Sequence, residues 1–279
     1  MIRSSRAERI LVWIVLVVFL FFILYPFWIG LVTSLKPLQE FYSTMVFAPS
    51  LQPTLAAYQH VIGLFSRPIL SSLYIAVVVS IVGISLGMVG GYCLRDRRSA
   101  IIAVVFALVL FGNYIPPITK LLPTIRIVQI FGLFNTNLGV GLAVGSMFLP
   151  MATILYRQSY TQFPDSFFEL AKLEGANHID VFFRVIVPLS KIPTVTVGIL
   201  SLGTGWNVFL FPLVMTTGSM SRRPLGVALS MLRDAAVHDG TYNNLLAGTI
   251  IMALPPILLY LVGQRYITQG FRALGTGDR

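Results

Sequence analysis

Six runs free of Asp, Glu, Lys and Arg divide this 279-residue chain: Ile10–Leu35, Pro68–Leu94, Ser99–Thr119, Leu138–Tyr156, Ile192–Ser221 and Gly240–Gln264. A helix needs roughly 20 apolar residues to cross the hydrocarbon of a bilayer, and each run meets that length. The expected fold class is therefore an all-α membrane protein with six transmembrane helices at about 10–34, 69–94, 100–119, 138–157, 192–216 and 244–264. These lie in a membrane domain of residues 10–267, between an N-terminus of residues 1–9 and a tail of residues 268–279. A hydrophobic share of 56%, a charged share of 11% and a mean hydropathy of +0.83 exclude an ordinary soluble domain. The runs at Pro68 and Ile192 are longer than a bilayer requires, so part of each should protrude or tilt. The first run exceeds the roughly 7–15 residues of a signal-peptide core and no small-residue cleavage site follows it, so it is expected to stay as an anchor. The single cysteine, Cys93, excludes an internal disulfide framework and every multi-cysteine metal site.

Orientation follows from Lys and Arg, which accumulate on the cytoplasmic side of a membrane protein. Thirteen fall on one side: Arg3, Arg6 and Arg9, then Arg95, Arg97 and Arg98, then Arg157, Lys172, Arg184 and Lys191, and finally Arg265, Arg272 and Arg279. The other side holds seven, spread over longer loops: Lys36, Arg67, Lys120, Arg126, Arg222, Arg223 and Arg233. Both termini and the fourth loop are thus expected in the cytoplasm, with the chain multi-pass in the cell (inner) membrane. The net charge of +10 is accounted for by residues flanking apolar runs rather than by a basic polar domain, so nucleic acid is not an expected partner.

The runs carry no ionisable group at membrane depth, unlike proton-coupled transporters, ion pumps and voltage sensors. They carry neutral polar and aromatic groups instead: Ser71, Ser72 and Tyr74, then Asn113 and Tyr114, then Thr204, Trp206 and Asn207. Such groups serve helix packing or can hydrogen-bond and stack on an uncharged cargo. Gly83, Gly87, Gly90 and Gly91 form a stripe expected to bring another helix close. Pro116, Pro117, Pro255 and Pro256 can kink or end their helices. A lateral helix is expected near Ala56–Ile62, another along Leu121–Phe134 around Arg126 and Gln129, and an outward projection over Thr217–Asn244.

Between the fourth and fifth runs lies ELAKLEGANHIDVFFRVIVPLSKIP, from Glu169 to Pro193, which mixes charges with amphipathic spacing. Asp165 or Ser166 can cap a helix, and Ser166 with Glu169 matches a capping box that sets the first turn at Phe167. Phe167 and Phe168 are expected to anchor this helix while the small Ala171 leaves room for close approach. Gly175 suits a left-handed C-terminal cap. A second helix should begin near Asn177, with Asp180 in its first turn and Phe182, Phe183, Val185 and Ile186 as anchors, and Pro188 should end or bend it. Two short helices joined at a glycine make either a rigid projection that transmits force or an ordered connector.

The run E-L-A-K-L-E-G-A, Glu169 to Ala176, followed by F-F-R-V-I-V-P-L, resembles the EAA loop of ABC importer permeases, whose pattern is E-A-A-x-x-D-G-A and then I-x-L-P. Leu170 replaces Ala and Glu174 replaces Asp. Further along, SLKP (Ser34–Pro37), NTNLG (Asn135–Gly139), Trp206 and Asn207 with Phe209, Leu210 and Pro212, and QRYITQG (Gln264–Gly270) resemble the MalG-like half of carbohydrate importers. Val208 departs where that family often has Asp, and Ser72 departs where Asn is common.

The resemblance implies the type I ABC importer permease fold, with a cytoplasmic coupling-helix loop over residues 163–190. It implies that Glu169, Ala171, Lys172, Glu174, Gly175 and Ala176 form the ATPase-coupling site. Glu169 would meet a basic residue of the ATPase groove, Ala171 would make the close contact, and Gly175 would shape the loop. Asn113, Tyr114, Trp206 and Asn207 are candidates for the substrate path. The implied partners are a homologous second permease (MalF-like), two copies of a cytoplasmic ABC ATPase, an external solute-binding protein and the lipid bilayer. No G-x-x-x-x-G-K-S/T phosphate loop occurs, so no cofactor is expected in this chain and it is not itself an enzyme; ATP and Mg belong to the ATPase subunits. The expected cargo is a sugar or related neutral organic solute, with a polyol or glycerophosphate as the alternative. A six-span receptor or a membrane-embedded enzyme fits less well, because His60, His178 and His238 all fall in loops and no H-x-x-x-H pair exists.

Overall fold

The computed structural model describes residues 6–95, 99–218 and 223–275, with the backbone alone at positions 7, 172, 235, 237, 239 and 267–275. Its helices in chain order are α1 (Arg6–Ser34), α2 (Leu38–Ser43), α3 (Ala56–Cys93), α4 (Ala100–Tyr114), α5 (Pro117–Ile130), α6 (Asn137–Tyr160) and α7 (Asp165–Leu173). Then come α8 (His178–Val181), a π-helical turn (Phe182–Ile186), α9 (Val187–Leu189), α10 (Lys191–Trp206), α11 (Leu210–Met215), α12 (Leu225–Asp239) and α13 (Tyr242–Gly275). Among the described residues, α1, α3, α6 and α13 are each long and apolar enough to cross a membrane. Two bent pairs, α4 with α5 and the α8–α9 segment with α10, bring the number of spans to six if each pair is one.

Several boundaries differ from expectation. The lateral helix expected at Ala56–Ile62 is instead the first part of α3, which runs unbroken through Pro68. Ala57, Val61 and Phe65 recur every fourth residue and are all buried, so one apolar stripe carries the helix past the loop boundary. The third span, expected over 100–119, stops at Tyr114 and turns by 104° into α5. The cause is Pro116–Pro117: the residue before a proline is driven out of the helical region, and Ile115 sits at φ −69°, ψ 121°. The lateral helix expected over Leu121–Phe134 is α5, which buries Leu121, Ile125 and Val128 and leaves Arg126 and Gln129 exposed. The fifth span, expected to residue 216, breaks after Trp206, where Asn207 donates both its backbone N–H (3.1 Å) and its side-chain Nδ2 (3.0 Å) to the Gly203 carbonyl. Asn, which competes with the ladder through its side chain, favours such an end.

Contacts divide the chain into two compact units, residues 1–66 with 229–253 and residues 67–228 with 254–279. In the first unit, Lys36 is buried and donates to Thr44 Oγ1 (2.8 Å) and the Met45 carbonyl (2.7 Å), while Ser34 Oγ pairs with the Tyr58 hydroxyl at 2.7 Å. The SLKP motif is thus the fold point of the segment after α1. Glu40 accepts from the Ser50 hydroxyl and from the Leu51 N–H (3.0 Å), which closes the segment from α2 to Leu51.

In the second unit α3 and α6 approach closely along two glycine stripes. A Cβ on Gly87 would lie 2.6 Å from Ala152 Cβ, and one on Gly91 2.5 Å from Tyr156 Cβ. Reciprocally, Gly141 and Gly145 of α6 receive Val78 and Val82 of α3. The stripe therefore does what small residues do in membranes, where association depends on close backbone packing rather than hydrophobic exclusion. Gly205 brings α10 against Ala76 of α3, and Gly263 of α13 takes the side chain of Ile199.

Candidate functional site

The loop after α6 folds as a helical hairpin. Helix α7 begins at Asp165, so Ser166 lies within its first turn rather than before it, and the expected Ser166–Glu169 capping box gives way to a start two residues before Phe167. A capping box forms instead at the second helix: Asn177 Oδ1 accepts from the N–H groups of Ile179 (2.8 Å) and Asp180 (2.9 Å), and Asp180 accepts from the Asn177 N–H. Helix α7 ends as expected. Gly175 has φ +78°, and the Ala176 N–H reaches back to the Ala171 carbonyl at 3.0 Å, the long bond of a Schellman turn.

Pro188 acts differently from a simple stop. Without an N–H and with its ring crowding the carbonyl four residues back, it forces the ladder to skip. The Val187 N–H bonds the Phe182 carbonyl, five residues earlier, and Phe182–Ile186 becomes a π turn. The 75° bend into α10 falls at Ser190, whose hydroxyl bonds the Ile186 carbonyl (2.5 Å) and the buried Tyr160 hydroxyl (2.9 Å). Tyr156 makes the matching bond to Thr194 Oγ1 at 3.0 Å, so two hydroxyl pairs fasten α6 to the start of α10.

The six candidate coupling residues all lie on this hairpin. Glu169 and Glu174 are exposed, and Lys172 contributes backbone to α7 while its side chain lies outside the described residues. Ala171 and Ala176 are half-buried against the chain's own core; with Glu174, Gly175, Asp180, Val181, Arg184 and Val185 they line a cavity of about 220 Å³. Phe168 is buried, but Phe167, expected as a second anchor, is 46% exposed. Helical spacing explains the difference, since 167 and 168 point about 100° apart. Phe167 instead joins Leu170 (58%) and Leu173 (84%) in an exposed apolar ridge flanked by Glu169 and Glu174. The other four candidates sit at helix breaks. Asn113 and Tyr114 are exposed at the end of α4, Asn207 is exposed at the end of α10, and Trp206 is buried within the chain.

Three residues named in the sequence take positioning roles there that only the structure shows. Asn135, at φ +61°, donates its N–H to the Met215 carbonyl (3.1 Å) and accepts from the Thr217 N–H (2.8 Å), clasping the end of α11. Ser72 accepts from the first N–H of α12, at Leu225, at 2.9 Å, so the departure from Asn leaves a working cap. Arg95 bridges toward α7, although in sequence it reads only as one more basic residue after a span.

Residues 80–273 match the family described as the binding-protein-dependent transport system inner membrane component. The chain belongs to that family. The permease is 27% identical over 263 residues to the glucose import system permease protein GlcU of Saccharolobus solfataricus, covering 92% of this chain and 91% of that one. It is 26% identical over 281 residues to the sn-glycerol-3-phosphate transport system permease protein UgpE of Yersinia pestis, covering 97% and 98%. The fold is also that of a chain in the crystal structure of a bacterial ABC transporter involved in import of the acidic polysaccharide alginate, at TM-score 0.74 and 22% identity, covering 95% of the permease and 99% of that chain. The permease is accordingly a membrane subunit of an ABC importer, and its helical hairpin holds the run from Glu169 to Ala176 that resembles the EAA loop.

Proposed function

We propose that this permease moves an uncharged, sugar-like solute by alternating access, and that α7 receives the motion of partner ATPases in the cytoplasm. The observation that carries the reading is the two-sidedness of α7. Phe168 and Ala171 hold it to the membrane domain, while Phe167, Leu170 and Leu173 are left as an apolar ridge beside Glu169 and Glu174. An exposed apolar ridge on a loop outside the bilayer calls for a protein partner. Two ATPase copies, a homologous MalF-like permease and an external solute-binding protein complete the proposed assembly. Both termini lie in the cytoplasm, as the distribution of basic residues supports.

Residues 68–93, 137–156 and 192–215 contain no charged side chain, which favours a neutral cargo over a phosphate ester even though one relative is named for sn-glycerol-3-phosphate. Asn113, Tyr114 and Asn207 are the proposed cargo contacts, with the buried Trp206 supporting the break from within. In proteoliposomes carrying the full importer, Leu173→Asp should abolish solute-stimulated ATP hydrolysis while the chain inserts normally. Stimulation at the wild-type level would sink the coupling role, and competition by sn-glycerol-3-phosphate but not by neutral sugars would overturn the cargo class.

A further inference from the structure

Two arginines exchange places at the ends of α3 and α6 nearest α7. Arg157, in the last turn of α6, sends Nε to the Leu94 carbonyl just past α3 at 2.6 Å and stacks its guanidinium 3.7 Å from the centre of the Phe106 ring. Arg95, just past α3, sends Nε to the carbonyl of Tyr160, the last residue of α6, at 3.0 Å. Each arginine thus supplies a cation and a donor where the other helix ends in unpaired carbonyls and partial negative charge. Arg95 does more. Its Nη2 donates to Asp165 Oδ1 at 2.6 Å, in the first turn of α7, and its guanidinium carbon lies 3.6 Å from the centre of the buried Phe168 ring. One side chain, 20% exposed, therefore touches both α6 and α7 and joins them to the end of α3.

Chain connectivity makes the contact consequential. Helix α7 follows α6 after residues 161–164, so α6 is tied to it covalently, whereas α3 is far away in sequence. From α3, Tyr92 reaches the second half of the hairpin, with its ring 5.6 Å from that of Phe182, and Arg95 reaches α7 itself. The task suits arginine specifically. Its planar fork satisfies a carbonyl and a carboxylate together while its face covers an aromatic ring, whereas a lysine ammonium is a point charge that meets only part of that demand.

We propose that Arg95 is a positioning residue for energy coupling: it locks α7 to α3 and α6 so that displacement of α7 moves both helices as one body. This rests on the reading of α7 as the element that receives ATPase motion. The test uses the complete importer in proteoliposomes, comparing Arg95→Gln, Arg95→Lys and Asp165→Asn for complex yield, thermal midpoint and solute transported per ATP hydrolysed. Arg95→Gln should lower solute per ATP by roughly fivefold or more, the scale of a typical coupling free energy between sites. Arg95→Lys should recover part of that loss, Asp165→Asn should lose less than Arg95→Gln, and the double variant should be no worse than Arg95→Gln alone. If Arg95→Gln lowers only yield or thermal midpoint and the assembled complex keeps its solute per ATP, Arg95 is merely structural and the proposal is overturned. Should Arg95→Gln fail to assemble, Asp165→Asn decides alone: reduced solute per ATP supports the lock and an unchanged ratio removes it. Leu173→Asp separates the two ideas. If it uncouples the complex while the Arg95 and Asp165 variants do not, only the lock fails; if it has no effect, the role of α7 fails first.

Discussion

Gly175 stands in open space: a Cβ there would meet nothing within 4 Å, so its requirement is purely conformational. At φ +78° an ordinary L-residue costs roughly 1–2 kcal/mol, and Asn less than a β-branched residue. Gly175→Val should therefore sharply reduce solute-stimulated ATP hydrolysis, and Gly175→Asn should retain much of it; equal activity in the two would show that the turn geometry is not what matters. Glu40 is a second residue with a defined consequence. The Ser50 hydroxyl and then the Leu51 N–H hold its carboxyl below the ordinary carboxylate range, with Lys36 adding a smaller pull. A lowered pKa means that the closed segment is stabilised at neutral pH and loses that contribution as pH falls through the folded-state value. Hydrogen exchange at the Leu51 amide should accelerate, relative to neighbouring amides, on acidification below the carboxylate range, and Glu40→Gln should abolish that pH dependence. Both residues are plain in the sequence, but only Gly175 announces its role, because a glycine after an amphipathic turn is a local signal and the Glu40–Ser50 contact is not.

Among the elements, the glycine positions of α3 separate into those that pack and those that do not. A methyl on Gly91 would lie 2.5 Å from Tyr156 Cβ and 2.8 Å from the Arg157 backbone nitrogen, which cannot swing aside. Overpacking of that kind costs about 1–3 kcal/mol. Gly63 on the same helix has nothing within 4 Å of its would-be Cβ, and replacing such a glycine by alanine stabilises by about 0.4–1 kcal/mol. In detergent, Gly91→Ala should lower the thermal midpoint and Gly63→Ala should raise it slightly; the reverse order would contradict the α3–α6 contact. The stripe itself was legible in the sequence, because glycines at helical spacing in an apolar run have few other uses. The breaks were less so. Pro116 signalled that α4 could end, yet the 104° turn depends on Leu121, Ile125 and Val128 finding a core to lie against. The π turn before Pro188 was not legible, because a proline says only that a bond is missing and the surrounding packing decides whether the ladder stops or slips.

For the molecule as a whole, the distribution of Lys and Arg makes a claim about sidedness that chemistry can test. Leu51 (91% exposed) lies in a loop with few basic residues, and Leu173 (84%) in the most basic one. With Cys93 replaced by Ser, Leu51→Cys should react with a membrane-impermeant maleimide added outside intact cells, and Leu173→Cys only after the cytoplasmic face is opened. Labelling of both from the same side would reverse or break the proposed topology.

The sequence by itself determined the class, the approximate spans and the glycine turn that ends the helix begun before Glu169. Those features are written in local quantities: run length, charge counts, caps and a glycine turn. Only the tertiary structure decided which side of α7 is anchored, where the spans break, and that Arg95 joins three elements. The physical reason is that a basic residue after a span has the same local signature whether it faces water or reaches a carbonyl, a carboxylate and an aromatic ring contributed by residues 65 to 73 positions further along. The folded chain brings those groups together.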